Sequence, residues 1–332
     1  MHDVVIIGAG MAGLAAARQL RTAGISNLCV LEKSRGVGGR MSTRRIGEIL
    51  VDHGAQYFTY RSPAFQAVLE PLLSDGTMGK WIDAVATVTP DGQILWPGAE
   101  HTYPRYACPQ GMTAVCKALS QGIDIQLETR ATAISAGSEG WEIQTENGQV
   151  YRAKAVLLTP PPEQSFALLG ALADHSELAP AQQVLFDPCF AVLAGYEDFS
   201  STIPAGLRWE ADPCIAWSAI DSTKRPQPFT FLIHSTPVFA REYASAPREQ
   251  VAQQLLKHAA QKLSVAALAT PAWSQTHFWR YAMPINPLSQ QWLGIEKPFP
   301  LAMAGCWCAG ARVEGAFLSG QAAAQGLQAW LQ

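Results

Sequence analysis

Val4-Val5-Ile6-Ile7-Gly8-Ala9-Gly10-Met11-Ala12-Gly13 decides how the rest of the chain is read. Four β-branched apolar residues suit one buried parallel strand, and they run straight into a G-x-G-x-x-G. Leu14, Ala17 and Leu20 then fall on one helical face, and Gly24 closes that helix. Leu28-Cys29-Val30-Leu31 reads as a second strand ending at Glu32, nineteen residues after Gly13. Each part has a mechanical reason. Gly8 permits the tight turn, Gly10 lets the backbone approach a pyrophosphate, and Gly13 lets helix and strand pack closely. The helix N-terminus offers free N–H groups and the positive end of its dipole to phosphate. Glu32 accepts hydrogen bonds from ribose hydroxyls. Strand, glycines, helix, strand and acid in this order predict a dinucleotide-binding βαβ unit.

The residues just past the acid select the dinucleotide. Glu32-Lys33-Ser34-Arg35-Gly36-Val37-Gly38-Gly39-Arg40-Met41 adds three more glycines and, after the last of them, Arg40. A unit that binds NAD alone has no need of a second glycine-rich, basic loop. Flavoproteins of the glutathione-reductase-like and amine-oxidase-like type have one, of the form G-G-R. Arg40 there supplies charge-assisted hydrogen bonds to phosphate, so non-covalent FAD is the expected cofactor.

The 332 residues are 48% hydrophobic and 15% charged, ample for a large core in one or two domains. A formal charge of −3 without lysine or arginine runs gives no electrostatic case for nucleic acid or an anionic membrane. No basic, apolar leader precedes the first strand, and no apolar stretch approaches the roughly twenty residues of a membrane span. Seven scattered cysteines fit reduced thiols in a cytoplasmic protein. Cys306-Trp307-Cys308 is the one close pair and has no partner at zinc spacing, so no metal is expected.

Further along, Ile49–Phe58 reads as a strand leading to a glycine turn with a polar, aromatic tip, and Pro63 begins a helix. Short strands are expected between Trp81 and Tyr103. Pro109-Gln110-Gly111-Met112 is expected to open a helix stopped by Gly122. Strands come next at 123–127 and 131–135, then a hairpin of 141–145 and 149–152 around Asn147-Gly148. Ala155–Thr159 is expected as a separate apolar strand, stopped by Pro160-Pro161-Pro162. From Glu163 to about Phe299 the character changes. Strands at 190–196, 214–220 and 229–234 precede a helix with Pro247 in its first turn and Val251, Leu255, Ala259 and Leu263 on its buried face. Leu301–Gly305 reads as a last strand, Ala309–Gly315 as a tight loop, and a helix runs from near Ala316 to Trp330. The expected class is α/β, a Rossmann-type FAD-binding domain with an inserted α+β substrate domain. Residues 1–60, 105–162 and 300–332 make the first, and 61–104 and 163–299 the second.

Several stretches together resemble the renalase family, especially its bacterial type, within the amine-oxidase-like flavoproteins. They are Lys33–Gly36 with Gly38–Ser42, His53–Thr59, Ile233-His234, Trp279 with Tyr281 and Pro284, and Gly310–Gly320. They span nearly the full length. The resemblance implies a p-hydroxybenzoate-hydroxylase-like two-domain arrangement. It implies oxidation of dihydronicotinamide dinucleotides carrying reducing hydrogen at C2 or C6, with O2 as acceptor and NAD(P)⁺ and hydrogen peroxide as products. The implied FAD contacts are Gly8, Gly10, Met11, Ala12, Gly13, Glu32, Lys33, Gly39, Arg40, Met41, Gly54, Ala55, Gln56, Tyr57, Ala131, Thr159, Gly305, Cys306, Arg312, Val313, Glu314 and Ala316. The implied substrate-side residues are His234, Trp279, Tyr281, Gln56 and Tyr57, and Arg61 is a candidate for a substrate phosphate. One departure stands out: Gly305-Cys306 replaces the family's Gly-Asp, and a thiol is a weaker partner for the ribityl chain.

Hydride loss from a dihydropyridine leaves an aromatic cation, so the chemistry asks for positioning against the flavin rather than a strong base. Three other classes remain open on the residues alone: an amine oxidase on the same fold, an isoprenoid or porphyrin desaturase, and a flavin-binding module without catalysis. A monomer or homodimer is expected.

Overall fold

The computed structural model describes every residue of the chain except Ala309. The chain opens with β1 (His2–Ile7), α1 (Met11–Thr22) and β2 (Leu28–Leu31), then the hairpin β3 (Thr43–Ile46) and β4 (Ile49–Asp52) and helix α2 (Pro63–Ser74). Short strands β5 (Gly79–Ile82), β6 (Ala86–Val88), β7 (Ile94–Leu95) and β8 (Arg105–Ala107) lead to α3 (Thr113–Ser120). Next come β9 (Ile125–Gln126), β10 (Ala131–Ala136), β11 (Trp141–Thr145) and β12 (Val150–Leu158), followed by α4 (Pro162–Leu169) and α5 (Ala179–Gln182). Strands β13 (Phe186–Gly195), β14 (Gly206–Trp209), β15 (Ile215–Ile220) and β16 (Thr230–Ser235) precede α6 (Pro237–Glu242) and α7 (Arg248–Lys262). The chain ends with β17 (Trp273–Pro284), β18 (Leu293–Ile295), β19 (Leu301–Met303) and α8 (Val313–Leu331).

Among the described residues the larger sheet has eight strands, ordered β10-β11-β12-β1-β2-β9, with β19 beside β12 and β18 beyond it. β1 lies at its centre, parallel to β12 and β2, and Val4, Val5 and Ile6 are wholly buried. Each such side chain contributes roughly 1.5–3 kcal/mol by leaving water. Gly13 is required by geometry, since a Cβ there would lie 2.0 Å from Gly8 O. This is a mixed α/β Rossmann-like fold. A second, seven-stranded sheet runs β17-β13-β16-β15-β14-β6-β7.

Four expectations about elements need correction. The hairpin arm at 149–152 and the apolar strand at 155–159 are one strand, β12. One edge pairs antiparallel with β11 as far as Ala153 and parallel with β19 from Val156, while β1 runs parallel along the other edge from Ala153, so a change of partner rather than a break lies just past Ala153. Helix α3 starts at Thr113, not at Pro109, because Gly111 sits at φ +88°, a conformation no helix contains. Helix α8 starts at Val313, so Val313, Glu314 and Gly315 are helical and not loop. Glycine is required at 315, because a Cβ would collide with Gly310 O at 2.1 Å. Ala309, where the expected loop begins, lies outside the described residues. Finally, β17 is a strand that the sequence pattern does not announce, although it is the longest one. It is an edge strand whose aromatic and polar residues do not alternate cleanly.

The change of sequence character at Glu163 does not coincide with the change of sheet. Leu169, Leu178, Ala181 and Val184 join the core against the larger sheet, and β18 pairs with β19 within it. The second sheet buries one face under α6 and α7 through Phe190, Val192, Phe231, Ile233, Val251 and Leu255. Its other face meets the β3–β4 hairpin, where Val51 packs with Ala191, Leu193 and Leu232.

Candidate active site

Two long helices end toward the C-terminal edge of the larger sheet without a side-chain cap. Gly10 caps α1 and Arg312 caps α8 through backbone alone, so each first turn offers unpaired N–H groups and the positive end of a helix dipole. The helices touch where a Cβ on Gly320 would meet Ala12 O at 2.1 Å. Gly10 differs from the glycines that packing explains. Its φ of −81° is ordinary, yet a Cβ there would meet nothing within 4 Å. The space beside it is an open cradle of the kind a pyrophosphate needs. A Cβ built on Gly39 would lie 3.5 Å from Gly10 Cα, and Gly38 N donates to Ala9 O at 2.9 Å. The G-G-R loop is therefore held against the first glycine loop.

Glu32 is buried and held in place, accepting from Ala9 N at 2.9 Å on Oε2 and from Ser34 N at 2.8 Å on Oε1. Each oxygen keeps a second lone pair for a ribose hydroxyl. Lys33 donates to Gln164 Oε1 at 3.0 Å. Thr129 N donates to Glu32 O, which brings the start of β10, Ala131, beside this acid. Thr159 Oγ1 donates to Ile7 O and Gly8 O and closes the same corner. Arg40 points elsewhere: its guanidinium reaches the carbonyls of Tyr281 and Ala282 at 3.4 and 3.5 Å and lies over the Phe186 ring. Met41 is buried. Gly54 and Ala55 lie directly on the G-G-R loop, with Ala55 N donating to Arg40 O at 2.8 Å and no room for a Cβ on Gly54. Glu314 uses Oε1 to accept from Arg61 N and Ser62 N, so it ties α8 to the start of α2. Gly305 N donates to Ser319 Oγ at 2.9 Å, and Cys306 is buried beside it.

The substrate-side candidates come together only in part. Strand register sets His277, Ala191, His234 and Trp217 in one row across β17, β13, β16 and β15. The row faces His53, whose carbonyl accepts from Trp279 Nε1 at 2.9 Å and pairs with His234 Nε2 at 3.1 Å. His234 therefore carries its proton on Nε2. Burial pushes His234 down to about 4 and, with His277 and Arg44 nearby, His53 down to about 3. Burial lowers His277 as well. The row thus presents neutral imidazoles near pH 7. The His53 ring stacks on Trp279 at 5.3 Å and meets His277 edge-on at 5.1 Å. Tyr57 packs 5.6 Å from Trp217. Among the described residues, His53 Nδ1 and Trp217 Nε1 are buried without a partner, at a cost of about 1–3 kcal/mol each that a bound molecule can relieve.

Tyr281 stands apart. Its ring meets Phe186 at 5.9 Å, on an open cleft of about 440 Å³ with Glu163, Arg241 and Arg280. Gln56 has its amide fully directed: Nε2 donates to Asp52 O and Gly54 O, and Oε1 accepts from Lys224 Nζ at 3.2 Å. Lys224 belongs to a buried network that sequence reasoning missed. Its ammonium bonds Asp221 Oδ1 at 2.7 Å and Asp52 Oδ2 at 3.3 Å, and Arg225 bridges the same two carboxylates. Burial raises Asp52, but Lys224 and Arg225 outweigh it and hold this carboxyl below its usual range. Burial dominates at Asp221 and holds it above. No local signal marks these residues, because Asp52 and Arg225 meet across 173 positions. His53 and His277 were within reach of sequence reasoning. The first lies inside the His53–Thr59 stretch, and the second two residues before Trp279 on the same strand face.

Residues 6–72 match the model of an NAD(P)-binding Rossmann-like domain, and residues 72–328 that of flavin containing amine oxidoreductases. The chain belongs to that flavin family. Mouse renalase is 24% identical, with 88% of each chain covered. Polyamine oxidase 1 of maize is 43% identical over 54 residues, 16% of this chain and 11% of that one. Among solved structures, a putative protoporphyrinogen oxidase from Exiguobacterium sp. 255-15 superposes with a TM-score of 0.77 at 15% identity, covering 99% of both chains. A putrescine oxidase bound to putrescine gives 0.74 at 14%, again over 99% of both. At these identities the structural likeness speaks for the fold. The protein is an FAD-dependent, amine-oxidase-like oxidoreductase, and no helix among its described residues is long and apolar enough to cross a membrane.

The open space at Gly10 makes a clean test. Gly10→Val should cost the fold no more than about 1 kcal/mol, while the isopropyl group fills the cradle. Desalted protein should then emerge folded and colourless. A Gly10→Val protein that keeps its yellow colour would show that the cradle is not where the cofactor binds.

Proposed function

We propose that this flavoenzyme oxidises dihydronicotinamide dinucleotides that carry their reducing hydrogen at C2 or C6, releasing NAD(P)⁺ and hydrogen peroxide. The observation that carries this reading is the row of neutral aromatic and imidazole side chains facing His53, with no free ionised base among them. The likeness to mouse renalase over most of both chains supports it. Gly8, Gly10, Met11, Ala12 and Gly13 hold the pyrophosphate of FAD, and Glu32, Lys33 and Ala131 its adenosine end. Gly39, Met41, Gly54, Ala55 and Thr159 line its length, and Arg40 joins them through its backbone, since its guanidinium reaches Tyr281 O and Ala282 O instead. Gly305, Cys306 and the first turn of α8 from Arg312 to Ala316 receive the ribityl chain and pyrimidine edge. When bound, FAD supplies the two-electron acceptor for the hydride and the route to O2.

The protein's own part is placement. Trp279, held by His53 O, and Tyr57, held beside Trp217, enclose a flat ring without offering a charge that competes with the pyridinium product. Keeping His234 and His53 neutral matters for the same reason, since a cation beside a developing pyridinium opposes its formation. The larger sheet serves the cofactor and the seven-stranded sheet the substrate.

The test is anaerobic rapid mixing of the holoenzyme with 2- or 6-dihydro-NAD(P). The flavin should bleach within seconds, and air should restore the colour with one peroxide per cycle. Ordinary NAD(P)H should react far more slowly and simple amines hardly at all. If a monoamine or diamine bleached the flavin faster, an amine-oxidase reading would replace this one.

A further inference from the structure

On the side of the second sheet turned away from the candidate active site, three donor side chains of different chemistry meet among the described residues. Asp212 and Cys214 lie on the turn between β14 and β15, and His258 lies on α7. One carboxylate oxygen, the thiol sulfur and one imidazole nitrogen fall within 4.8 Å of one another. The turn is built to aim the carboxylate. Asp212 Oδ1 accepts from Cys214 N at 2.9 Å and from Ile215 N at 2.8 Å, which leaves Oδ2 directed at His258 Nε2, 2.7 Å away. Ala211, just before it, takes φ +48°, a left-handed conformation that alanine rarely adopts. Thr236 fixes the turn from the end of β16, donating its N–H to Cys214 O at 2.8 Å and its hydroxyl to Pro213 O at 2.7 Å. The imidazole comes from the middle of a fifteen-residue helix. Asp212 is 5% and His258 21% exposed at the side chain, so the cluster is sheltered yet reachable from solvent.

We propose that Asp212, Cys214 and His258 bind one zinc ion, with water as the fourth ligand. Thiolate, imidazole and carboxylate together select a borderline-soft cation that accepts tetrahedral coordination, and magnesium or calcium would not take the sulfur. With metal–ligand distances of about 2.0–2.3 Å, tetrahedral donors lie about 3.3–3.6 Å apart. The Asp212–His258 pair has to open by roughly half an ångström from its metal-free separation, and the thiol, placed within 4.8 Å of both, has to close in. The site touches neither the glycine loops nor the row facing His53. Its consequence is mechanical: zinc ties the β14–β15 turn to α7 and thereby clamps the helix onto the second sheet. Local sequence spacing could not show it, because Asp212 and His258 are 46 residues apart.

The holoenzyme, dialysed against chelator, is titrated separately with cobalt(II) and zinc(II). One cobalt per chain should bind and give a thiolate-to-metal charge-transfer band in difference spectra against the cobalt-free holoenzyme, and zinc should displace it. Zinc should also raise the unfolding temperature. Cys214→Ser should abolish the band, and His258→Ala and Asp212→Asn should each weaken binding by about tenfold or more. Cys214→Ser is nearly isosteric and Asp212→Asn keeps the acceptor for both backbone N–H groups, so metal-free unfolding of each variant reports whether the turn survives. Loss of the band and of the zinc-dependent stabilisation in a folded Cys214→Ser protein supports the site. Absence of stoichiometric binding to the wild type, or equal binding by all three variants, overturns it and leaves an Asp–His pair that only joins turn to helix.

Discussion

Replacing Lys224 with methionine should lower the free energy of unfolding by about 3–5 kcal/mol, the cost of breaking a buried ion pair from one side. Lys224, Asp52 and Asp221 have no side-chain exposure, and Arg225 has 3%. Two cations face two carboxylates, and the cluster is neutral only as a set. Without the ammonium, Asp52 and Asp221 share one guanidinium, and Gln56 Oε1 loses its donor. The pH dependence has a definite sign. Asp221 already sits above the usual carboxylate range through burial, and loss of Lys224 raises it further. A carboxyl whose folded pKa exceeds its unfolded value loses stability as pH rises through the folded pKa. The penalty in Lys224→Met should therefore grow from acid to neutral pH. Lys224→Met combined with Asp221→Asn restores neutrality and should recover more than half of the loss. Urea unfolding of wild type, single and double variants at two pH values measures all of this. A single-variant cost below about 1 kcal/mol would mean that water, not Arg225, compensates the carboxylates.

Trp279→Ala should slow flavin reduction by the isomeric dihydronicotinamides about 100-fold while FAD stays bound. The indole is held twice, by its N–H to His53 O and by stacking on the His53 ring, so its plane is fixed before any substrate arrives. Removing it lets the pyridine ring wander by an ångström or so, and displacement on that scale costs on the order of 10² in rate. Trp279→Phe keeps a flat ring and loses the hydrogen bond, and should fall between the two. Stopped-flow reduction with retained flavin absorbance separates this from simple loss of cofactor. An alanine variant that reduces at the wild-type rate would remove Trp279 from the substrate side.

The cofactor half was legible because its chemistry is written locally. Strand, glycines, helix and acid lie within the first 32 residues, and each glycine's role is a matter of one turn or one close approach. Gly13 against Gly8 O and the open space at Gly10 follow from that order. Local patterning failed where a strand changes partner, as β12 does at Ala153-Lys154, and where neighbours decide a helix start, as Gly111 does for α3. The substrate side is different in kind. His234 and Trp279 could be named from stretches that carry the family resemblance, but their convergence on one carbonyl could not. Neither could the row from His277 through Ala191 and His234 to Trp217, which is a product of strand register. Asp52, Asp221, Lys224 and Arg225 are unremarkable in sequence. Their network exists because the end of β4 meets the turn after β15 where the side chains are shut off from solvent, and a buried charge is costly unless paired. The sequence alone thus determined the fold class and its Rossmann-like opening unit, since both depend on short-range geometry. Which side chains gather around His53, and which of them stay neutral, was decided by tertiary structure, since register and burial arise only when distant segments pack.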